Sequence, residues 1–272
     1  MKQKLAPLAT FLLLSLTAFG QQDGFFSSQL SAQKKFESDY LKAVNYDRFK
    51  VHLTELTKSP HIAGTPENEL VKDYMVEIMS KAGMEVKVWP YDVYLPNHPG
   101  KSELQIISPV QLTLSQKEGE LAEDPFSIDP RLHLGFNAFS GSGDVTAELV
   151  YVNYGTREDF MKLVEMGVPL KGKVAIARYG GNFRGYKAKF AEQQGMVGLV
   201  VYTDPKDSGF TRGDVYPKGP YYNETTIQRG SMLTLDFTGD PLTPNRPALP
   251  LDGPVKIKRD DPATVDFHTI PV

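Results

Sequence analysis

The stretch from Glu148 to Tyr202 reads ELVYVNYGTREDFMKLVEMGVPLKGKVAIARYGGNFRGYKAKFAEQQGMVGLVVY. Three short apolar runs are separated by two segments of helical period. Leu149-Val150-Tyr151-Val152 reads as a strand, with β-branched or aromatic residues at Val150, Tyr151 and Val152. Val174-Ala175-Ile176-Ala177 and Val197 to Tyr202 are near-continuous apolar runs and read as buried strands. Between them, Glu158 to Met166 and Tyr186 to Gln194 are helical, the second ended by Gly195. Strand, helix, strand, helix, strand predicts a parallel α/β layer. The fold class is α/β, mixed with α+β elements over the chain as a whole.

Upstream, the clearest helix opens at Thr65-Pro66, where Thr65 suits the cap and Pro66 the first helical position. Leu70, Val71, Tyr74, Met75, Ile78 and Met79 give it one apolar face, and Gly83 ends it. Gln29 to Asn45 and Phe49 to Leu56 are helix-permissive. Glu85 to Trp89 alternates as a strand does. Pro96 to Gly100 breaks the chain, Ile106 to Leu114 reads as strand and turn, Glu118 to Pro130 as loop, and Phe139 to Gly143 as a flexible connection. Beyond Asp204, seven prolines between Pro205 and Pro250 predict extended loop rather than core.

Lys2 and Lys4 precede an apolar core, Leu5 to Phe19, and Ala18-Phe19-Gly20 is a small-x-small site. This is the form of a secretory signal peptide over residues 1–20, and it predicts a secreted or periplasmic chain. Composition is that of a globular protein: 272 residues, 40% hydrophobic, 23% charged. The formal net charge is −3, and loss of Lys2 and Lys4 takes it to −5. An acidic balance excludes a generally basic nucleic-acid binder. No apolar run is long enough for a membrane span. The absence of cysteine excludes disulfide scaffolds, thiol nucleophiles and cysteine metal sites.

Five histidines, His52, His61, His98, His133 and His268, stand at no close metal-ligand spacing, and there is no GxSxG elbow or phosphate loop. Two segments could carry chemistry, each with a plain structural reading beside it: a surface arginine in a turn for the first and, more strongly from composition, a simple Pro-fixed turn for the second. Arg178-Tyr179-Gly180-Gly181-Asn182-Phe183-Arg184-Gly185 lies beyond the carboxyl end of a buried strand, where ligands of open α/β layers collect. Its glycines permit tight turns, and a guanidinium can grip a carboxylate with two parallel hydrogen bonds. Gly239-Asp240-Pro241-Leu242-Thr243-Pro244-Asn245-Arg246-Pro247 is a Pro-fixed loop whose hydroxyl and carbonyls suit a hard cation. Asn223-Glu224-Thr225 is a glycosylation sequon.

At these segments the sequence resembles the glutamate carboxypeptidase II and transferrin receptor family of zinc peptidases. The resemblance rests on eight ordered stretches between about residue 45 and residue 248. They are Pro60-His61-Ile62-Ala63-Gly64-Thr65, Tyr91-Asp92-Val93, Val150-Tyr151-Val152-Asn153-Tyr154 and Gly172-Lys173-Val174-Ala175-Ile176-Ala177-Arg178-Tyr179-Gly180. Phe183-Arg184-Gly185, Tyr202-Thr203-Asp204-Pro205, Gln228-Arg229-Gly230 and Gly239-Asp240-Pro241-Leu242-Thr243-Pro244 complete them. Leu249 to Phe267 matches poorly.

The resemblance implies a helical lead-in at 21–44 and a first peptidase segment at 45–105. It implies an inserted protease-associated (PA) domain at 106–262 and a return to the peptidase domain at 263–272. It implies that Arg184 holds a substrate carboxylate, and it places Ser231 where the family has a substrate-contacting asparagine. Thr243, and Arg246 through its carbonyl, fall at a structural calcium half-site. In the family the ligands of two zinc ions and the general-base glutamate follow the inserted domain. The expectation is therefore a fragment of a secreted zinc carboxypeptidase, inactive alone, whose substrate is a small acidic peptide. The full-length protein is expected to form a homodimer. The rival reading is a non-catalytic PA-domain binding module or a receptor-like relative.

Overall fold

The computed structural model describes residues 24–91, 93–234, 237–241, 243–250 and 270–272. The signal peptide expected at 1–20 and the boundary expected at 262 lie outside the described residues. The chain divides into two compact units, 1–57 and 58–272. The first holds α1 (Leu30–Ala43) and α2 (Tyr46–Thr57). Pairs one turn apart, Gln33 with Glu37 and Lys35 with Asp39, support α1. Neither helix buries a residue.

The second unit opens with α3 (Pro66–Lys81). The Thr65 hydroxyl accepts the Asn68 N–H, Pro66 stands in the first turn, and Gly83 leaves the helix at φ 81°. Leu70, Met75 and Met79 on the expected apolar face are exposed. A hairpin follows, β1 (Leu104–Ile106) antiparallel to β2 (Leu112–Leu114). Glu85 to Trp89, expected as a strand, runs without strand pairing among the described residues. Alternation produces an extended backbone, but a strand also needs a partner, and no local pattern supplies one. The loop expected at 118–130 contains a 3-10 turn, Pro125–Ile128, capped by the Asp124 side chain.

β3 (Asn137–Ala138) precedes the central layer. There β4 (Leu149–Tyr151), α4 (Arg157–Glu165), β5 (Val174–Arg178), α5 (Arg184–Gln193) and β6 (Gly198–Tyr202) alternate as expected. The sheet is parallel in the order β4-β5-β6, with Val150 opposite Ala175 and Ala175 opposite Leu199. α4 and α5 touch each other, so both crossovers place their helices on one face. Ala175 and Ala177 of β5 and Ala188 and Ala191 of α5 are fully buried, and small side chains let the layers approach closely. Phe160 of α4 packs into the same core with Val152, Leu170, Met196 and Leu199. α4 starts from a capping box: the Thr156 hydroxyl accepts the Asp159 N–H, and the Asp159 carboxylate accepts the Thr156 N–H.

α6 (Pro205–Ser208) begins the Pro- and Gly-rich part, and β7 (Gly230–Ser231) pairs in parallel with β3. Met232, just past β7, is fully buried and donates its N–H to the Ala138 carbonyl at 2.8 Å. This corrects the expectation that nothing beyond Asp204 belongs to the core. A pairing partner far away in sequence, not local pattern, brings Met232 inside. Residues 270–272 lie along β6 and the 140–141 turn: Leu199 N–H donates to the Pro271 carbonyl, and Gly141 N–H to that of Ile270. No helix among the described residues is long and apolar enough to cross a membrane.

Candidate functional site

The loops after β4, β5 and β6 meet at the carboxyl edge of the parallel sheet. Their turns need left-handed backbone: Asn153 and Gly155 after β4, Gly180 and Gly181 after β5. A methyl on Gly181 would stand 2.7 Å from the Tyr154 Cβ, so the two loops pack too closely for any side chain there.

Arg178, the last residue of β5, joins the loops electrostatically. Its Nη2 donates to Asp207 Oδ1 at 2.6 Å, and its Nε lies 3.3 Å from Asp204 Oδ2. The second contact is an ion pair without hydrogen-bond alignment. The guanidinium also lies 4.6 Å from the centre of the Tyr154 ring. Tyr154 donates its hydroxyl proton to Asp207 Oδ2 at 2.9 Å, and this carboxylate raises the Tyr154 pKa. Asp204 accepts the Lys206 N–H and the Tyr202 hydroxyl. The Lys206 N–H is the first cause that holds the Asp204 carboxyl below its ordinary range, and burial pushes the Tyr202 phenol up.

Arg184 begins α5 and is half-buried. Its Nη2 donates to the Tyr179 hydroxyl at 3.0 Å, and its Nη1 reaches the Ser231 carbonyl at 3.4 Å. The guanidinium presses on Gly230, where a side-chain carbon would stand 2.3 Å from Nη1 and where φ is 154°. Both partners of Arg184 are neutral oxygens, and among the described residues no carboxylate pairs with it. The Ser231 hydroxyl is engaged in accepting the Leu233 N–H at 3.0 Å.

Thr243 and Arg246 form a second pair. The Arg246 N–H donates to the Thr243 carbonyl at 3.0 Å. The carbonyl oxygens of Arg246 and Thr243 converge on Gly239, at 2.5 and 3.0 Å from where its side-chain carbon would be. Thr243 is 5% exposed, and its hydroxyl is buried with no hydrogen-bond partner among the described residues. A buried hydroxyl without a described partner, in the same turn as these carbonyls, is of the oxygen chemistry that a hard cation such as calcium would take. The described residues do not fit zinc: none of their histidines and carboxylates gather in a group of three or more that could hold a metal. No described contact links the Thr243 pair to the Arg184 pair.

One central residue was not singled out from sequence. Lys187 of α5 is fully buried. Its ammonium donates to the Tyr154 carbonyl, to the Gly180 carbonyl at 2.6 Å and to Asn182 Oδ1 at 2.7 Å. The legible signal was its place with Ala188 and Ala191 on the helix face of small, sheet-packed residues. Burial pushes its pKa from 10.5 down to about 8, with Asp159 acting in the opposite sense. Between these two values the unfolded chain binds this proton more than the folded chain does, so stability rises with pH across that window. Lys187→Met should remove the rise. Chemical denaturation at pH 8 and above pH 10 should show native stability gaining about 3 kcal/mol relative to the variant. An equal pH dependence of the two would contradict the burial cost.

The PA domain model matches residues 145–235, from just before β4 to just past β7. The chain carries a PA domain and is similar to glutamate carboxypeptidases. A protein named probable glutamate carboxypeptidase from Arthroderma benhamiae is 42% identical over 69% of this chain and 26% of its own length. A glutamate carboxypeptidase 2 homolog from Caenorhabditis elegans is 35% identical over 75% of this chain and 27% of its own. Aminopeptidase NAALADL1 from Mus musculus is 31% identical over 82% of this chain and 30% of its own. The chain thus spans between a quarter and a third of the length of each of these three relatives. Tyr154, Arg178, Arg184, Lys187, Asp204, Asp207 and Ser231 all fall within the PA domain.

Proposed function

We propose that this chain is the substrate-carboxylate-binding part of an exported, zinc-dependent peptidase of the glutamate carboxypeptidase type. The observation that carries the reading is the guanidinium of Arg184. It is half-buried, held in place by two neutral oxygens and Gly230, and uncompensated by any described carboxylate. Such a group binds a carboxylate strongly because the incoming anion supplies the charge that the protein withholds. Ser231 sits beside it and contributes to the same subsite. The substrate is a small acidic peptide, and Arg184 orients its terminal or side-chain carboxylate.

Hydrolysis itself is assigned to two zinc ions held by residues outside these 272, in keeping with the greater length of the relatives. The 272-residue chain alone is then inactive. Calcium, held by the Thr243 hydroxyl and the Arg246 carbonyl, would brace the 239–246 turn. Residues 1–20 act as a signal peptide, residues 106–262 as the inserted PA domain, and the longer protein as a homodimer.

The test is calorimetric titration of the 272-residue chain with an Asp-Glu dipeptide. Arg184→Gln should weaken binding about 10- to 100-fold, the worth of a hydrogen-bonded charge pair, with the circular dichroism spectrum unchanged. Equal affinity in the two proteins would end the reading. Dipeptide hydrolysis by the 272-residue chain would refute its inactivity. Binding with no peptidase activity in the longest native product would favour a stand-alone PA-domain module or a receptor-like protein.

A further inference from the structure

Lys187 is the one charged side chain among the described residues that is buried from solvent, and nothing above gives it a part in binding. An ammonium so placed must be satisfied or it costs the fold heavily. Its three N–H donors meet three oxygens: the Tyr154 carbonyl after β4, and the Gly180 carbonyl and Asn182 side chain after β5. Asn182 in turn donates from Nδ2 to the Gly155 carbonyl at 3.2 Å, closing the ring between the two loops. The stem of Lys187 lies against Gly155, at 3.3 Å from where a side-chain carbon there would stand. The turn thus held, with Gly180 and Gly181 both at positive φ, ends two residues before Arg184.

We propose that Lys187 is a positioning residue for Arg184: its buried ammonium acts as a tethered cation that fixes the 180–182 turn and so aims the guanidinium. The proposal rests on the reading of Arg184 as the carboxylate ligand. Lys187 itself is sealed from solvent and touches no substrate. A freely turning loop would spread Arg184 over many orientations, and each bound ligand would have to select one of them.

The experiment titrates the Asp-Glu dipeptide into the native chain, Lys187→Met, Lys187→Ala and Arg184→Gln, with amide NMR of Gly180 to Arg184 in parallel. Lys187→Met keeps the stem and removes the charge. It should weaken binding about tenfold and shift the 180–184 amides. Lys187→Ala leaves a channel the length of n-propylammonium, and this cation should restore affinity and shifts while neutral n-propanol does not. A purely structural loss of packing would be indifferent to that charge. If Lys187→Met does not fold, Asn182→Ala, which leaves the ammonium two carbonyls, should weaken binding instead.

Native affinity in a folded Lys187→Met or in Asn182→Ala, or equal rescue by propanol, overturns the positioning role. If Arg184→Gln still loses binding in that case, the carboxylate reading survives. Native affinity in Arg184→Gln overturns the reading and the inference together.

Discussion

Phe160→Ala is expected to lower the unfolding free energy of the unit spanning 58–272 by about 3–5 kcal/mol, the range for deleting a buried aromatic ring. Phe160 is 1% exposed and is the one buried residue of α4. Its ring belongs to the core cluster that also holds Ala175 and Ala177 of β5 and Ala188 and Ala191 of α5, whose own side chains are too small to fill the space it would leave. The capping box at Thr156 starts the helix but does not dock it. Phe160→Leu, which retains most of the volume, should cost much less. Urea denaturation followed by far-UV circular dichroism measures both. A loss below 1 kcal/mol for Phe160→Ala would mean that α4 is not anchored through this ring.

The central layer was legible because its signals are local. Apolar runs at 149–152, 174–177 and 197–202 and the helical periods between them specify five elements whose ends differ by only one or two residues from those observed. What local pattern does not contain is the choice of partner. Glu85 to Trp89 alternates like a strand and is not paired as one, whereas Met232 lies in a Pro- and Gly-rich stretch and is fully buried. The difference is that the Met232 N–H finds the Ala138 carbonyl, 94 positions away in sequence.

The candidate site divides in the same way. Arg184 stood out from its glycine-flanked place after a strand, and Ser231 through the resemblance alone. Their contact could not be read, because it depends on β7 returning beside β3. The links from Arg178 to Asp204 and Asp207 depend instead on the register of β5 against β6, with Arg178 opposite Tyr202, which no local pattern states. Lys187 was harder still. A lysine in sequence reads as a solvated charge, and only the convergence of three oxygens from two loops turns it into a buried cation.

The close approach of α5 to β7 gives the second large effect, at Gly185. A methyl there would stand 2.3 Å from the Met232 carbonyl oxygen, 2.9 Å from its carbon and 2.6 Å from Phe183 Cε1. The first two are backbone atoms, and the Met232 backbone is held by its bond to Ala138, so neither can yield without separating helix from strand. Gly185→Ala should therefore destabilise the unit by about 1–3 kcal/mol or somewhat more, the cost of overpacking a fitted contact. This happens although alanine is the better helix former. Moving α5 away from β7 also carries Arg184 away from the Ser231 carbonyl. The same substitution should thus weaken dipeptide binding, although it touches no ligand and changes no charge. Gly100→Ala is the control, since a methyl at Gly100 meets nothing within 4 Å and its φ lies outside the left-handed region. Denaturation and calorimetry on both variants separate the explanations. Loss of stability with native affinity would show that Arg184 is aimed without help from β7. Equal stability of Gly185→Ala and Gly100→Ala would mean that the helix and strand do not meet at this glycine.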